Sequence, residues 1–487
     1  MSSQSYDVIV IGGGAVGENV ADRTAQGGLR TVVVESDLVG GECSYWACMP
    51  SKALLRSGAA LAAARRVPGA AEAVTGSVDV RAALKQRDSI ASQWKDDGQA
   101  KWLESAGIDL VRGHARLTAL REVTVTGDDG TVTVLTAKHA VVVSTGSAAL
   151  LPDIPGLKDI NPWTSRDATS AQQIPPRLAV IGGGVVAAEM AAAYASLGSA
   201  VTVIARSPLL GGQEPFAGEL VTAALQENGV TVLVGPSTTA AHRETDGAVT
   251  LSLDDGTAVT AERVLVAIGR TPRTHDLGLD TVGLEAGDWL TVDDTLLVQG
   301  DSPALVGDWL YATGDVNHRA LLTHQGKYQA RAAGDAIVAR AVGSRVDDAP
   351  WGAHVATADH AAVPQVTFTD PEVASVGLTA ASAVKAGYRI RILDYDLANL
   401  GGASVLAVGY VGKARAVLDL DREVLLGVTF VGQDVAELLH SATVAIVGEV
   451  PISRLWHAVP SYPTLSEVWL RLLEAYGRPG FTDEELR

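Results

Sequence analysis

The chain has 487 residues, with 38 Lys and Arg against 56 Asp and Glu, a net charge of −18 and a pI near 5.0. That balance excludes a nucleic-acid or anionic-membrane binder that works by charge attraction. With 47% hydrophobic and only 19% charged residues, a disordered chain is excluded as well, and the length suits about three domains.

The N-terminus, MSSQSYDVIVIGGG, runs into an apolar strand without a basic leader or cleavage site, so a cytoplasmic protein is expected. Residues 6–35 read as strand, glycine turn, helix, strand, and residues 178–206 repeat that plan. At an offset of 170 residues, Gly12, Gly14 and Gly17 fall on Gly182, Gly184 and Ala187. A lone GxGxxG is weak. Here each copy follows an apolar strand and opens an Ala-rich helix, which is the context of a dinucleotide-binding turn. The second copy is long and apolar enough to span a bilayer, but its successive glycines, Glu189 and a strand-like VTVI mark a buried β-α-β unit. No membrane insertion is expected.

Between the copies lie the two cysteines of the chain, Cys43 and Cys48, with a helix expected to start near Pro50 and Ser51. A reducing cytoplasm disfavours a structural disulfide, which leaves a catalytic pairing. Residues 57–102 read as two helices without a motif. Each nucleotide unit then continues into a hairpin with an Asp-Asp-Gly turn, at 123–134 and 249–260, and ends in an apolar strand and a glycine, at 140–147 and 263–270. From about residue 350 the texture changes to extended segments, strands around 424–431 and C-terminal helices, as in a separate α+β domain.

The residue ending the second strand of each unit meets the adenosine ribose and selects the ligand. In the first unit it is Glu35, an acceptor for ribose hydroxyls, which suits FAD or NAD. In the second, Ala205 replaces the acid and Arg206 follows it, a cation able to pair with a 2′-phosphate, so NADPH is favoured over NADH.

With these features in hand, the chain resembles the pyridine nucleotide-disulfide oxidoreductases, the class of dihydrolipoamide dehydrogenase, glutathione reductase and mercuric reductase. The most specific match is GGECSYWACMPSK at 40–52, joined by STG at 144–146, AIGRTP at 267–272 and ATGDV at 312–316. The resemblance implies an α/β chain with two Rossmann-like domains and a C-terminal α+β dimerisation domain. The FAD domain is expected at 1–150 and 271–347, the NAD(P) domain at 151–270, and the dimerisation domain at 348–487.

By resemblance, Gly12, Gly14, Gly17, Glu35, Gly41, Thr145, Gly146, Gly314 and Asp315 hold FAD, with Asp315 on the ribitol. Gly182, Gly184, Ala187, Arg206, Gly269 and Arg270 serve the nicotinamide nucleotide. Cys48 lies against the flavin and Cys43 attacks the substrate, their pKa lowered by the helix dipole. Lys52, paired with Glu189, faces the flavin edge. No metal is called for.

The C-terminus departs from the pattern. Where disulfide reductases carry HPTxxE, with the histidine donated by the partner subunit, this chain reads YPTLSE, so Tyr462 replaces the histidine while Glu467 remains. A phenol ionising near 10 is a poor base at neutral pH. His457 reads as an ordinary helix-end residue. The tyrosine is similar to that of soluble transhydrogenases and mercuric reductases, yet the tail lacks the cysteine pair of the latter. The expected activity is NADPH oxidation through FAD and Cys43–Cys48 to a small-molecule or protein disulfide or another two-electron acceptor. The alternatives are direct transfer from reduced flavin to a quinone, metal ion or nicotinamide, and a flavin-stabilised assembly subunit. A homodimer built through residues from about 350 onward is expected.

Overall fold

The computed structural model describes residues 2–477; the tail beyond them, read above for its missing cysteines, lies outside. The chain packs as two units, one holding residues up to 50, 87–150 and 269–359, the other 51–86, 151–268 and the chain from 360 onward.

In the first unit, β1 (Ser2–Ile11), α1 (Ala15–Gln26) and β2 (Thr31–Glu35) form the expected strand-helix-strand. The sheet runs β3-β2-β1-β6-β5-β4, with β3 Asp109–Arg112, β4 His114–Ala119, β5 Glu122–Thr126 and β6 Val132–Val143. β6 is long enough to pair antiparallel with β5 along its first half and parallel with the strand Leu310–Ala312 along its second. Alternation in β1 feeds two cores. Val8 and Val10 pack with Val20, Val33, Ala333 and Ile337 on one face, and Ile9 and Ile11 with Val34, Leu135 and Trp309 on the other. α1 packs on the helix Thr323–Ala341, where a Cβ at Gly334 would meet Arg23.

α2 (Gly41–Tyr45) and α3 (Cys48–Arg65) follow. α3 starts at Cys48 itself, earlier than the expected Pro50, because proline is well tolerated in a first turn that needs no amide donor. Residues 57–102 are also more divided than two helices. Pro68 and Gly69 follow the end of α3, and α4 (Val80–Ile90) and α5 (Asp97–Ser105) come after.

The second unit contains a parallel sheet in the order Thr231–Val234, Ala200–Ala205, Arg177–Ile181, Arg263–Val266. A separate antiparallel sheet contains Gln365–Thr367, Glu372–Gly377, Val424–Gly432, Lys413–Asp419 and Ile390–Asp396. Val424–Gly432 is buried along its whole length as the central strand. No helix among the described residues is long and apolar enough to cross a membrane.

Candidate functional site

The first glycine turn is shaped by close backbone approach. Gly12 has φ +101°, and a Cβ there would lie 2.5 Å from the Ser144 carbonyl at the end of β6. Gly14 caps α1 without a side chain, which leaves the helix N-terminus open to an anion, and Gly17 is buried in the first turn. A Cβ on Gly41 would meet Gly14 Cα at 2.8 Å, so the loop carrying the cysteines lies directly on the turn.

Glu35 Oε2 accepts the Gly13 amide at 2.7 Å, and Oε1 accepts the Asp37 amide at 2.7 Å. Burial pushes its pKa up, opposed by these amides. Thr145 Oγ1 is buried without a hydrogen-bond partner among the described residues. An open helix N-terminus, a ribose-type carboxylate and an unpaired hydroxyl together fit FAD.

Gly146 follows at φ +71°. Ser147 Oγ donates to Asp315 Oδ2 at 2.5 Å, and Arg270 Nη2 donates to the Ser147 carbonyl at 2.8 Å. Arg270 Nε lies 3.6 Å from Asp315. Ser147 therefore joins two predicted residues that the sequence places 45 positions apart. Gly314, just before Asp315, donates its amide to Gln329. Gly269 precedes Arg270 and adopts φ +138°.

Cys43 lies in α2 and Cys48 opens α3; both are free thiols. Cys48 Sγ lies 3.3 Å from Thr323 Oγ1, at the start of the helix Thr323–Ala341. The Cys43 thiol is pushed up, first by its hydrogen bond with Cys48 and then by burial, while Thr323 and Lys327 act in the opposite direction. This corrects the expected lowering by the helix dipole. In the reduced pair, contact between thiols and loss of water outweigh the dipole at Cys43.

In the second unit Gly182 sits against the Ala267 carbonyl with φ +132°, Gly184 caps the helix Val185–Ser196, and Ala187 is buried within it. Ala205 is buried at its strand end. Arg206 is exposed and pairs with no described residue. Lys52 Nζ donates to Glu189 Oε2 at 2.8 Å and lies 4.9 Å from the Phe368 ring centroid.

Tyr462 is 77% exposed, its ring lying over Gly401 and its hydroxyl without a hydrogen bond among the described residues. Glu467 is buried and accepts from Arg471. The structure does not join the two into a hydrogen-bonded dyad. His457 is exposed, as expected of a residue beyond the helix Ile452–Leu455.

A model of the pyridine nucleotide-disulphide oxidoreductases matches residues 6–336, and a model of their dimerisation domain matches residues 363–472. The chain belongs to the pyridine nucleotide-disulphide oxidoreductases. Members of this family are flavoprotein enzymes that bind FAD and use NAD(P)H. A dihydrolipoyl dehydrogenase of Thermus scotoductus is 32% identical over 97% of both chains. A mercuric reductase of Staphylococcus aureus is 28% identical over 95% of this chain and 81% of its own. Among solved structures, LpdA of Mycobacterium tuberculosis superposes with a TM-score of 0.81 at 23% identity, covering 98% of this chain and all of that one. The flavoprotein disulfide reductase RclA of Escherichia coli gives 0.81 at 20% identity, covering 97% of this chain and 99% of its own.

Within this oxidoreductase, Thr323, Lys327, Ser147, Phe368 and Glu18 were not singled out from the sequence. THQGK at 323–327 and the acid following Gly17 are the local signals that could have drawn attention to three of them.

Proposed function

We propose that this oxidoreductase takes electrons from NADPH through FAD to the Cys43–Cys48 pair and passes them to a disulfide or another two-electron acceptor. The observation that carries the reading is the thiol pair itself, with Cys43 and Cys48 in hydrogen-bonding contact and Thr323 beside Cys48. Bound FAD supplies the two-electron relay between nicotinamide and disulfide. The balance is NADPH plus H⁺ plus a disulfide giving NADP⁺ plus two thiols. The hydride carries two electrons and one proton, so a second proton must enter for each turnover.

We assign residues 1–150 and 271–347 to FAD, 151–270 to the nicotinamide nucleotide and 348–487 to dimerisation, with a homodimer as the working form. Exposed, unpaired Arg206 supports NADPH over NADH. Lys52 is hydrogen-bonded to Glu189, from where it would stabilise negative charge on a reduced ring. The names of relatives place a dihydrolipoyl group and a mercuric ion among the acceptors to try. Replacing Cys43 with serine tests the reading. Turnover of a disulfide substrate should vanish, and survival of that activity would remove the relay.

Direct reduction of a small acceptor is the second reading, favoured by one observation. A cavity of about 390 Å³ is lined by Lys52, Phe368, Leu55, Arg56, Leu406 and Asp370, a mixed apolar and charged lining that suits a small polar molecule.

A further inference from the structure

In a chain whose net charge is −18, one cavity of the first unit collects positive charge. It has a volume of about 360 Å³ and is lined by Arg121, Lys138, His139, Asp308, Tyr311 and Arg340, so that a single carboxylate stands against three cations. A bulge in β6 supplies two of these residues. The pairing of β1 with β6 shifts register between Tyr6–Ala137 and Val8–Ala140, which leaves Lys138 and His139 opposite the one residue Asp7. Consecutive residues of a regular strand point to opposite faces, whereas the extra residue of a bulge lets both line the same cavity.

Arg121 lies in the turn between β4 and β5, in the left-handed region at φ +59°. Its Nη1 donates to the Lys138 carbonyl at 3.3 Å and its Nη2 to the Gly307 carbonyl at 3.1 Å. Both acceptors are neutral, so they fix the guanidinium without cancelling its charge. Its Nε is buried with no hydrogen-bond partner among the described residues. Arg340, in the last turn of the helix Thr323–Ala341, donates from Nη1 to the Tyr311 hydroxyl at 2.7 Å, and its Nε lies 3.4 Å from Asp308. Burial pushes the Tyr311 pKa up to about 12, so the phenol keeps its own proton to donate at neutral pH. Lys138 Nζ reaches Asp7 only at 3.8 Å, and that carboxylate already accepts the Arg30 amide at 2.9 Å. Burial lowers the His139 pKa, and Lys138 and Arg121 lower it further against the pull of Asp7, as expected of a ring in a positive field.

We propose that this cavity is a binding site for a small molecule carrying a phosphate group. An excess of two positive charges matches the charge of about −2 on a phosphate monoester near neutral pH. Lys138 brings a mobile ammonium and Arg121 a fixed guanidinium, the two groups best suited to phosphoryl oxygens. The volume falls at the low end of small-molecule pockets and leaves room for a short organic body beside the phosphate. The site is separate from the first glycine turn. Five residues lead from His139 to Ser144, whose carbonyl lies against Gly12, a rise of roughly 16 Å along an extended chain.

The test is isothermal titration calorimetry of the holoenzyme with glycerol 3-phosphate and with inorganic phosphate, glycerol serving as the uncharged control. It measures binding and not turnover, so its outcome is independent of the redox reading. Both phosphate probes should bind and glycerol should not. Arg121→Gln should weaken binding about tenfold, the usual effect of losing one charged donor. Because Arg121 also bridges two carbonyls, Lys138→Glu provides a second variant, at a side chain that is 69% exposed, and it should abolish binding. Arg206→Ala, in the other unit, should leave the affinity unchanged. Absence of heat with both probes would overturn the proposal, as would wild-type affinity in Lys138→Glu or loss of binding in Arg206→Ala. Binding of inorganic phosphate with exclusion of glycerol 3-phosphate would overturn the small-molecule ligand in favour of a bare anion.

Discussion

Lys52 Nζ and Glu189 Oε2 meet at 2.8 Å, and the second oxygen of that carboxylate accepts the Phe368 amide at 2.9 Å. Glu189 is only 3% exposed, so the pair holds a positive charge on a side chain that cannot swing away without stranding a buried carboxylate. Lys52→Met should slow flavin reduction by NADPH in stopped flow by about 100-fold, the usual cost of removing one preorganised charge partner. A change under threefold would show that Lys52 is structural.

Anaerobic titration with NADPH separates the two functional readings. A long-wavelength absorption band appearing while the flavin is still oxidised is expected for wild type; Cys48→Ser should lose it, and in Cys43→Ser it should no longer depend on adding NADPH. Bleaching without that band in wild type would place the thiols off the electron path.

The proposed preference for NADPH rests on Arg206, which follows buried Ala205 and is exposed. Arg206→Ala should raise KM for NADPH about tenfold, equivalent to about 1.4 kcal/mol of lost phosphate pairing. KM for NADH should move less than twofold. Equal effects on the two would mean that Arg206 does not meet a phosphate.

Glu18 also makes stability depend on pH. Its folded pKa is raised from the ordinary 4.5 to about 7, so its contribution is fully present below pH 4.5 and is lost as pH rises through 7. At 1.36 kcal/mol per unit, a shift of 7 minus 4.5 amounts to about 3 kcal/mol. Glu18→Gln, neutral at every pH, should therefore gain thermal stability over wild type as pH rises from 5 to 8.5. A difference between the two that stays flat with pH would contradict the assigned burial.

Val405, Val408, Val411, Val444, Val459 and Tyr462 are exposed in the residues matched by, or adjoining, the dimerisation model. Association through this region should give a light-scattering mass of about 100 kDa, twice 50.3 kDa. A monomer mass for active holoenzyme would rule it out.

Much of this molecule is legible in short stretches of its sequence. Gly12 and Gly182 each end a continuously buried apolar run, Val8–Ile11 and Leu178–Ile181, that is visible as such in the sequence. Cys43, Cys48 and Lys52 lie within ten positions of one another. Glu35 and Arg206 could be singled out because Glu35 ends its strand and Arg206 directly follows one. What spacing could not supply were relations closed by long-range packing. Ser147 reaches Asp315 across 168 residues, Glu189 meets the Phe368 amide across 179, and Cys48 meets Thr323 across 275. Periodicity records which face of an element is buried, but not which element covers it. The direction of the Cys43 shift and the setting of Glu18 depend on that cover, because thiol contact and exclusion of water arise only when separate segments pack together.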